Sequence, residues 1–84
     1  MAEKEIGVVS NYFEHVGAAS IKLFGDLKVG DKIKVKGGET EFEQEVKEMQ
    51  LDRADIKEAK AGEEPGIMLN QKVRKGYKVY KIIK

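Results

Sequence analysis

The segment Lys32–Lys36 constrains the fold more than any other feature, because its side chains alternate strictly between lysine and β-branched residues. A period of two puts the lysines on one face of a strand and the apolar residues on the other, which is typical of a strand with one solvated face. The run Glu41–Lys47 repeats this period with acidic side chains on its polar face. The pair Gly37-Gly38 separates the runs, so the sequence predicts a β-hairpin here.

Similar runs recur along the chain and end at glycine-containing turns. We expect six strands, at Glu5–Phe13, Val16–Phe24, Lys32–Lys36, Thr40–Leu51, Ile67–Leu69 and Tyr77–Ile83. Gly7 suggests a bulge or a close backbone approach, and the apolar phase shift after Val46 predicts a β-bulge inside the fourth strand. Residues 52–61 read as a strand end and a loop that could contain one helical turn. Six short strands in one small chain predict an all-β barrel or sandwich.

The length and the amino-acid composition limit the number of domains and the types of catalytic or metal site that the chain can form. Eighty-four residues predict a single domain over 1–84, with residues 1–4 and Lys84 expected to fray. The chain has no cysteine, a single histidine (His15) and no phosphate-binding glycine loop, so we expect neither an enzyme nor a cofactor or metal site. The alternating carboxylates Glu41, Glu43 and Glu45 are interpreted as a solvated strand face, with a divalent-cation site as the alternative.

The composition also suggests in which cellular compartment the protein is found and what type of organism it comes from. No apolar run approaches the roughly 20 residues of a membrane span, and the acidic N-terminus differs from the basic start of a signal peptide. We therefore expect a cytoplasmic protein. Lysine and glutamate dominate the charged residues and amides are scarce, a bias reported for hyperthermophile proteins, with ordinary variation in a lysine-rich protein as the alternative.

The charges are distributed unevenly along the chain. Residues 39–64 hold ten acids against four bases, whereas residues 65–84 hold six bases and no acid. This asymmetry could mark a polyanion-binding surface, or acidic and basic strands could lie side by side as cross-strand pairs. The candidate phosphate-contacting residues are Lys32, Lys34, Lys36, Lys72, Arg74, Lys75, Lys78 and Lys81.

The first predicted turn carries the other candidate site. Asn11, Tyr12, Phe13 and His15 place two aromatic rings, an amide and an imidazole together. Exposed rings here could stack on a base or on a partner's side chain. The alternative buries Tyr12 on the face that carries the apolar residues of the first strand.

Several turn segments resemble the second domain of elongation factor Tu and related translational GTPases. Leu27–Val35 looks like that domain's Leu-x-Val-Gly-Asp-x-Val stretch, and Val46–Gln50 resembles its next strand. Ala59–Leu69 and Val73–Val79 are similar to its later glycine motifs. The resemblance is closest to short stand-alone elongation-factor-like proteins, and to the barrel appended to some peptidase-like enzymes that modify RNA.

This resemblance implies a small six-stranded closed β-barrel that docks on a GTPase domain and contacts tRNA or rRNA. The chain departs from the pattern in two ways: it has no GTPase domain, and Gly7–Tyr12 lacks the second glycine of the first-strand motif. We therefore expect a monomeric, non-catalytic module that binds tRNA or rRNA in translation or RNA metabolism. The alternative is a protein-interaction domain that docks on a larger enzyme or GTPase in trans, through an exposed apolar patch around Tyr12, Phe13 and Phe24.

Overall fold

The computed structural model describes residues 2–83, and these form an all-β domain without a helix. The described residues make ten strands: β1 Ala2–Phe13, β2 Ala18–Leu23, β3 Leu27–Lys28, β4 Lys32–Gly37, β5 Thr40–Glu45, β6 Met49–Leu51, β7 Ala54–Ile56, β8 Glu58–Ala59, β9 Gly66–Met68 and β10 Lys78–Ile83. The all-β prediction is therefore confirmed. None of the described segments is a helix long and apolar enough to cross a membrane.

Eight strands form one antiparallel sheet in the order β5-β4-β10-β1-β2-β9-β6-β7, and β3 pairs separately with β8. The long strand β1 lies at the centre, where it pairs with β10 on one side and β2 on the other. Within residues 2–83 no strand pairing joins β5 to β7. The expected closed barrel is thus not found as a closed ladder of strands.

The single long strand predicted over Thr40–Leu51 is wrong, because residues 46–48 interrupt it between β5 and β6. The backbone of Val46 still continues the pairing of β5 by one residue, with the turn before β4, and the partner changes only at β6, which pairs with β9 and β7. The Val46 N–H donates to the Asp31 carbonyl over 2.8 Å, and its carbonyl accepts from the Gly30 N–H over 2.8 Å. The apolar phase shift seen in the sequence therefore reflects a change of partner strand rather than a bulge.

The weakly patterned stretch 52–61 also differs from expectation. It contributes the short strands β7 and β8, and no helical turn is found in it. A two-residue turn, Asp52-Arg53, joins β6 to β7 with φ values of 53° and 67°. Positive φ at both central positions is the type I′ geometry that two-residue hairpins favour, although Asn-Gly usually supplies it.

Two register shifts in β1 set which side chains face the core. The first lies between Glu5 and Gly7, as predicted, and a Cβ added to Gly7 would sit 2.8 Å from the Lys22 carbonyl oxygen. The second lies between Val9 and Asn11. It turns Tyr12 toward the core and leaves the next residue, Phe13, facing outward.

Residues 2–4, where fraying was expected, pair with residues 81–83 of β10; Met1 and Lys84 lie outside the described residues. The core collects the inward side chains of the strands, including Ile6, Ile21, Ile33 and Val79, each at most 1% exposed.

One buried polar side chain, Gln44 on β5, joins two distant parts of the described chain. Its Nε2 donates to the Met68 carbonyl over 2.8 Å, and its Oε1 accepts from the Asn70 N–H over 2.8 Å. A side-chain amide carries the same donor and acceptor as a peptide group. The Gln44 side chain therefore links β5 to β9 and to the residue Asn70 after it, through two hydrogen bonds like those between neighbouring strands.

Candidate interaction surfaces

The outer surface of β5, β4, β10 and the start of β1 is densely charged, and we call it the charged face. Register places each lysine of β4 opposite an acid of β5: the pairs are Lys32 with Glu45, Lys34 with Glu43 and Lys36 with Glu41. Opposite charges on facing strands stabilise a sheet. Between β4 and β5, the uneven charge distribution of the sequence therefore corresponds to cross-strand pairing.

Lys34 is the centre of the charged face. Its Nζ lies 2.8 Å from Glu3 Oε2 and 2.8 Å from Glu41 Oε1, and its side chain is only 16% exposed. Hydrogen bonds to Glu3 and then Glu41 raise the pKa of Lys34 well above its ordinary value. The hydrogen bond from Lys34 in turn lowers the pKa of Glu41. This lysine, predicted to contact phosphate, is already engaged by two carboxylates.

Two more of the predicted phosphate contacts have acidic partners. Lys72 Nζ lies 2.7 Å from Glu14 Oε1, and this hydrogen bond lowers the pKa of Glu14 and raises that of Lys72. Lys81 Nζ lies 3.4 Å from Asp31 Oδ2. Within residues 2–83, the predicted cations without a carboxylate oxygen inside 4.0 Å are Lys32, Lys36, Arg74, Lys75 and Lys78. Nucleic-acid binding by these residues remains a prediction.

The two regions singled out in the sequence meet in one groove. Tyr12 from the aromatic turn and Lys72 and Arg74 from the basic C-terminal region line a depression of about 770 Å³ together with Tyr77. Gly37 makes room for Tyr77, since a Cβ at this position would overlap the tyrosine ring. Tyr12 packs against the core, as the alternative interpretation held. We call this depression the tyrosine groove.

The other aromatic-turn residues are exposed. Asn11 Oδ1 accepts a hydrogen bond from the Tyr12 N–H over 2.9 Å, next to the second register shift of β1. His15 lies exposed in the turn between β1 and β2. Neither residue lines the tyrosine groove. Within residues 2–83, no three histidine, aspartate or glutamate side chains form a metal-binding group.

A second surface, which the sequence did not reveal, lies on the outside of β1, β2 and β9. Phe13 lies opposite Ala18, and Ala18 lies opposite Met68, so the three side chains form one outward row. Phe13 is 38% exposed and Met68 is 49% exposed, and Val16 in the adjoining turn is 50% exposed. We call these four residues the apolar face. A groove of about 290 Å³ runs along it, bordered by Glu48 and Gln50.

The predicted apolar patch around Tyr12, Phe13 and Phe24 is wrong as a single surface. The second bulge of β1 turns Tyr12 inward, so it does not share a face with Phe13. Phe24 follows the far end of β2, where its N–H donates to the Ile6 carbonyl over 2.8 Å. Phe13 therefore has Met68 and Val16 as its exposed neighbours instead. Only the long-range pairing of β2 with β9 could have shown this.

Known proteins similar to this chain identify its fold. No family model matches the sequence. An uncharacterized protease of Methanocaldococcus jannaschii is 46% identical over 77 residues, which cover 90% of this chain but only 19% of that protein. The C-terminal domain of a Geobacillus thermoleovorans protein assigned as a U32 peptidase superposes with a TM-score of 0.88 at 16% identity, covering 95% of this chain and 93% of that domain. The chain has the fold of that C-terminal domain.

The selenomethionine variant of the same domain gives a TM-score of 0.86 at 15% identity, over 90% of this chain and 96% of that one. These similarities overturn the assignment to an elongation-factor-like protein of translation, because the homologue and the solved structures are peptidase-related. The misleading motifs were glycine turns, which specify local backbone geometry and recur among small β domains. The part of the resemblance that agrees is a domain appended to peptidase-like enzymes.

Proposed function

We propose that this chain is a non-catalytic accessory domain that docks against the body of a U32-peptidase-type protein. The observation that carries the proposal is the 46% identity to a protease of which the chain matches only 19%. A similar C-terminal domain of a protein assigned as a U32 peptidase has the same fold. The matched region is therefore of domain size within a longer protein, and its natural neighbour is the remainder of that protein.

The surface chemistry supports docking on a protein. Contiguous exposed apolar side chains on a small domain usually mark an interaction site, and the apolar face provides such a row on the outside of the sheet. RNA binding has weaker support, since carboxylates already engage three of its eight predicted cations. We therefore favour the protein-docking alternative over RNA contact.

The proposal includes a barrel-like closure of the domain. Gln44 on the edge strand β5 forms hydrogen bonds to Met68 and Asn70. These bonds favour a sheet that is curved so that β5 approaches β9. Such a closure would hold the apolar face and the charged face in fixed positions on the outside of one rigid body. A rigid body loses little conformational freedom when it docks.

Affinity purification followed by calorimetry tests the proposed function. The tagged chain should retain a U32-peptidase-type protein from its native cell at about one-to-one stoichiometry, and the purified pair should bind in isothermal titration. The chain alone should show no peptidase activity. Co-purification of RNA without such a protein would contradict the proposal and restore the RNA interpretation, as would a gel-shift affinity for tRNA that falls steeply with salt.

A further inference from the structure

We infer that the apolar face is the docking surface, and that it takes an apolar side chain flanked by lysine or arginine on the U32-peptidase-type body. This inference rests on the proposed function and adds to it the location and chemistry of the contact. The apolar face consists of Phe13, Val16, Ala18 and Met68, as defined above.

Exposed apolar side chains are concentrated here. The described residues include five exposed large hydrophobic side chains, and three of them, Phe13, Val16 and Met68, line this one groove. Register brings them together: the Phe13–Ala18–Met68 row crosses three adjacent strands. Strands in a sheet lie about 4.8 Å apart, so the row spans roughly 10 Å. That length suits one or two anchoring side chains of a partner.

The groove has the size and polarity of an anchor site. Its volume is about 290 Å³. Small Ala18 and Gly66 line it beside Phe13 and Met68. Replacing the water in the groove with an apolar side chain would remove the Phe13 ring and the Met68 thioether from solvent, and burial of apolar surface is the main favourable term in association.

The border of the groove is acidic, and this negative charge favours a partner with basic residues. Glu48 lines the groove on the β6 side. A neighbouring depression of about 560 Å³ shares Met68 and Glu48 and adds Glu45, with Lys47 as its one base among the described residues. Two carboxylates against one ammonium group favour a partner with lysine or arginine beside its apolar anchor.

The same border disfavours a second copy of this chain. A two-fold interface places the same surface on both subunits. Two apolar faces packed together would add a second Glu48 carboxylate to one interface, and among the described residues no base lines the groove to offset it. The partner is therefore a different surface, and the proposed function supplies one in the body of the peptidase-type protein.

Matched surface variants test the inference against the U32-peptidase-type protein by isothermal titration. Phe13→Ser and Met68→Ser should each weaken binding about tenfold or more, as expected for central anchors. Phe24→Ser is the matched control, because Phe24 is 54% exposed but lies at the far end of β2; it should change the affinity less than about twofold. Glu48→Lys should weaken binding and reduce its salt dependence.

Equal binding by Phe13→Ser, Met68→Ser and wild type would overturn the inference and leave the proposed function standing. Absence of wild-type binding would overturn the proposed function, and an NMR titration with short peptides then decides the inference alone. A peptide with a leucine anchor flanked by arginines should shift amide signals of residues 13–18, 48–50 and 66–68, and its glutamate-flanked counterpart should not. The inference would be overturned if the two peptides caused equal shifts, or if neither caused a shift. It would also be overturned if the chain formed a homodimer that Phe13→Ser abolished.

Discussion

The charged face and the apolar face are neighbouring outer surfaces of the same sheet, and they differ in whether their side chains have partners within the domain. On the charged face, Lys34 bridges Glu3 and Glu41 at 2.8 Å each. On the apolar face, Phe13 and Met68 lie on either side of Ala18 and remain 38% and 49% exposed. Side chains that pair with each other within the domain contribute to its stability, whereas exposed apolar side chains without such partners are available to bind another protein. Substitutions should therefore change stability on one face and binding on the other.

The largest stability effect should come from Gln44, which joins the strand at the edge of the charged face to the segment that follows Met68. Gln44→Ala should lower the free energy of unfolding by about 2 kcal/mol, because the part-buried Met68 carbonyl and Asn70 N–H lose their hydrogen-bond partner. Urea denaturation measures this. Gln50→Ala is the control, since its exposed amide bonds only to Asp55 over 3.0 Å, and it should change stability by less than about 0.5 kcal/mol. Equal effects would show that the two halves of the sheet are not joined through Gln44.

A gain in stability is expected at the β6–β7 turn, beyond the apolar face. Arg53 has a φ of 67°, which an L-residue adopts at a cost of roughly 1–2 kcal/mol. Arg53→Gly should therefore stabilise the domain by about 0.5–1 kcal/mol, after the extra chain entropy of glycine is subtracted. Arg53→Lys keeps the Cβ and should be neutral in thermal denaturation. A destabilised glycine variant would mean that the arginine side chain makes a contact worth more than the strain.

The ion pairs of the charged face should contribute a smaller, pH-dependent amount. The pKa of Glu41 is lowered in the fold, so its contribution is present above the ordinary carboxyl pKa and is lost as pH falls through the lowered value. The pKa of Lys34 is raised, so its contribution is complete below its ordinary pKa and is lost only in strong alkali. Lys34→Met should be less stable than wild type near pH 7, and the difference should vanish toward pH 2.

Lys32→Met is the matched variant for this test, because Lys32 lies opposite Glu45 without a carboxylate inside 4.0 Å among the described residues. Its stability should follow the wild-type pH profile. A Lys34→Met difference that persists in acid would indicate that lost packing of the lysine stem, rather than the ion pairs, causes it.

The smallest stability effect should be on the apolar face. Phe13→Ser removes an outward-facing ring and should change the free energy of unfolding by less than about 0.5 kcal/mol, as for most exposed positions. The same variant is the one expected to lose docking. A large loss of stability would place Phe13 among the structural residues and remove the contrast between the two faces.

The features that the sequence predicted depend on neighbouring residues. Alternation from Lys32 to Lys36 and the glycines after it predicted the β4–β5 hairpin, although its turn lies at Gly38-Glu39 rather than at Gly37-Gly38, and Gly7 predicted the first bulge. The features it missed depend on long-range pairing. The pairing of β6 with β9 and β7 split a predicted strand, and the pairing of Ala18 with Met68 created the apolar face. The family assignment failed for a related reason, since glycine turns report local geometry.

Hydrogen–deuterium exchange of the complex with the U32-peptidase-type protein reports which face of the domain the partner covers. We expect slower amide exchange at residues 13–18, 48–50 and 66–68 on binding, with β4 and β10 unchanged. Protection of residues 32–36 and 78–81 instead, or equal protection on both faces, would contradict docking through the apolar face.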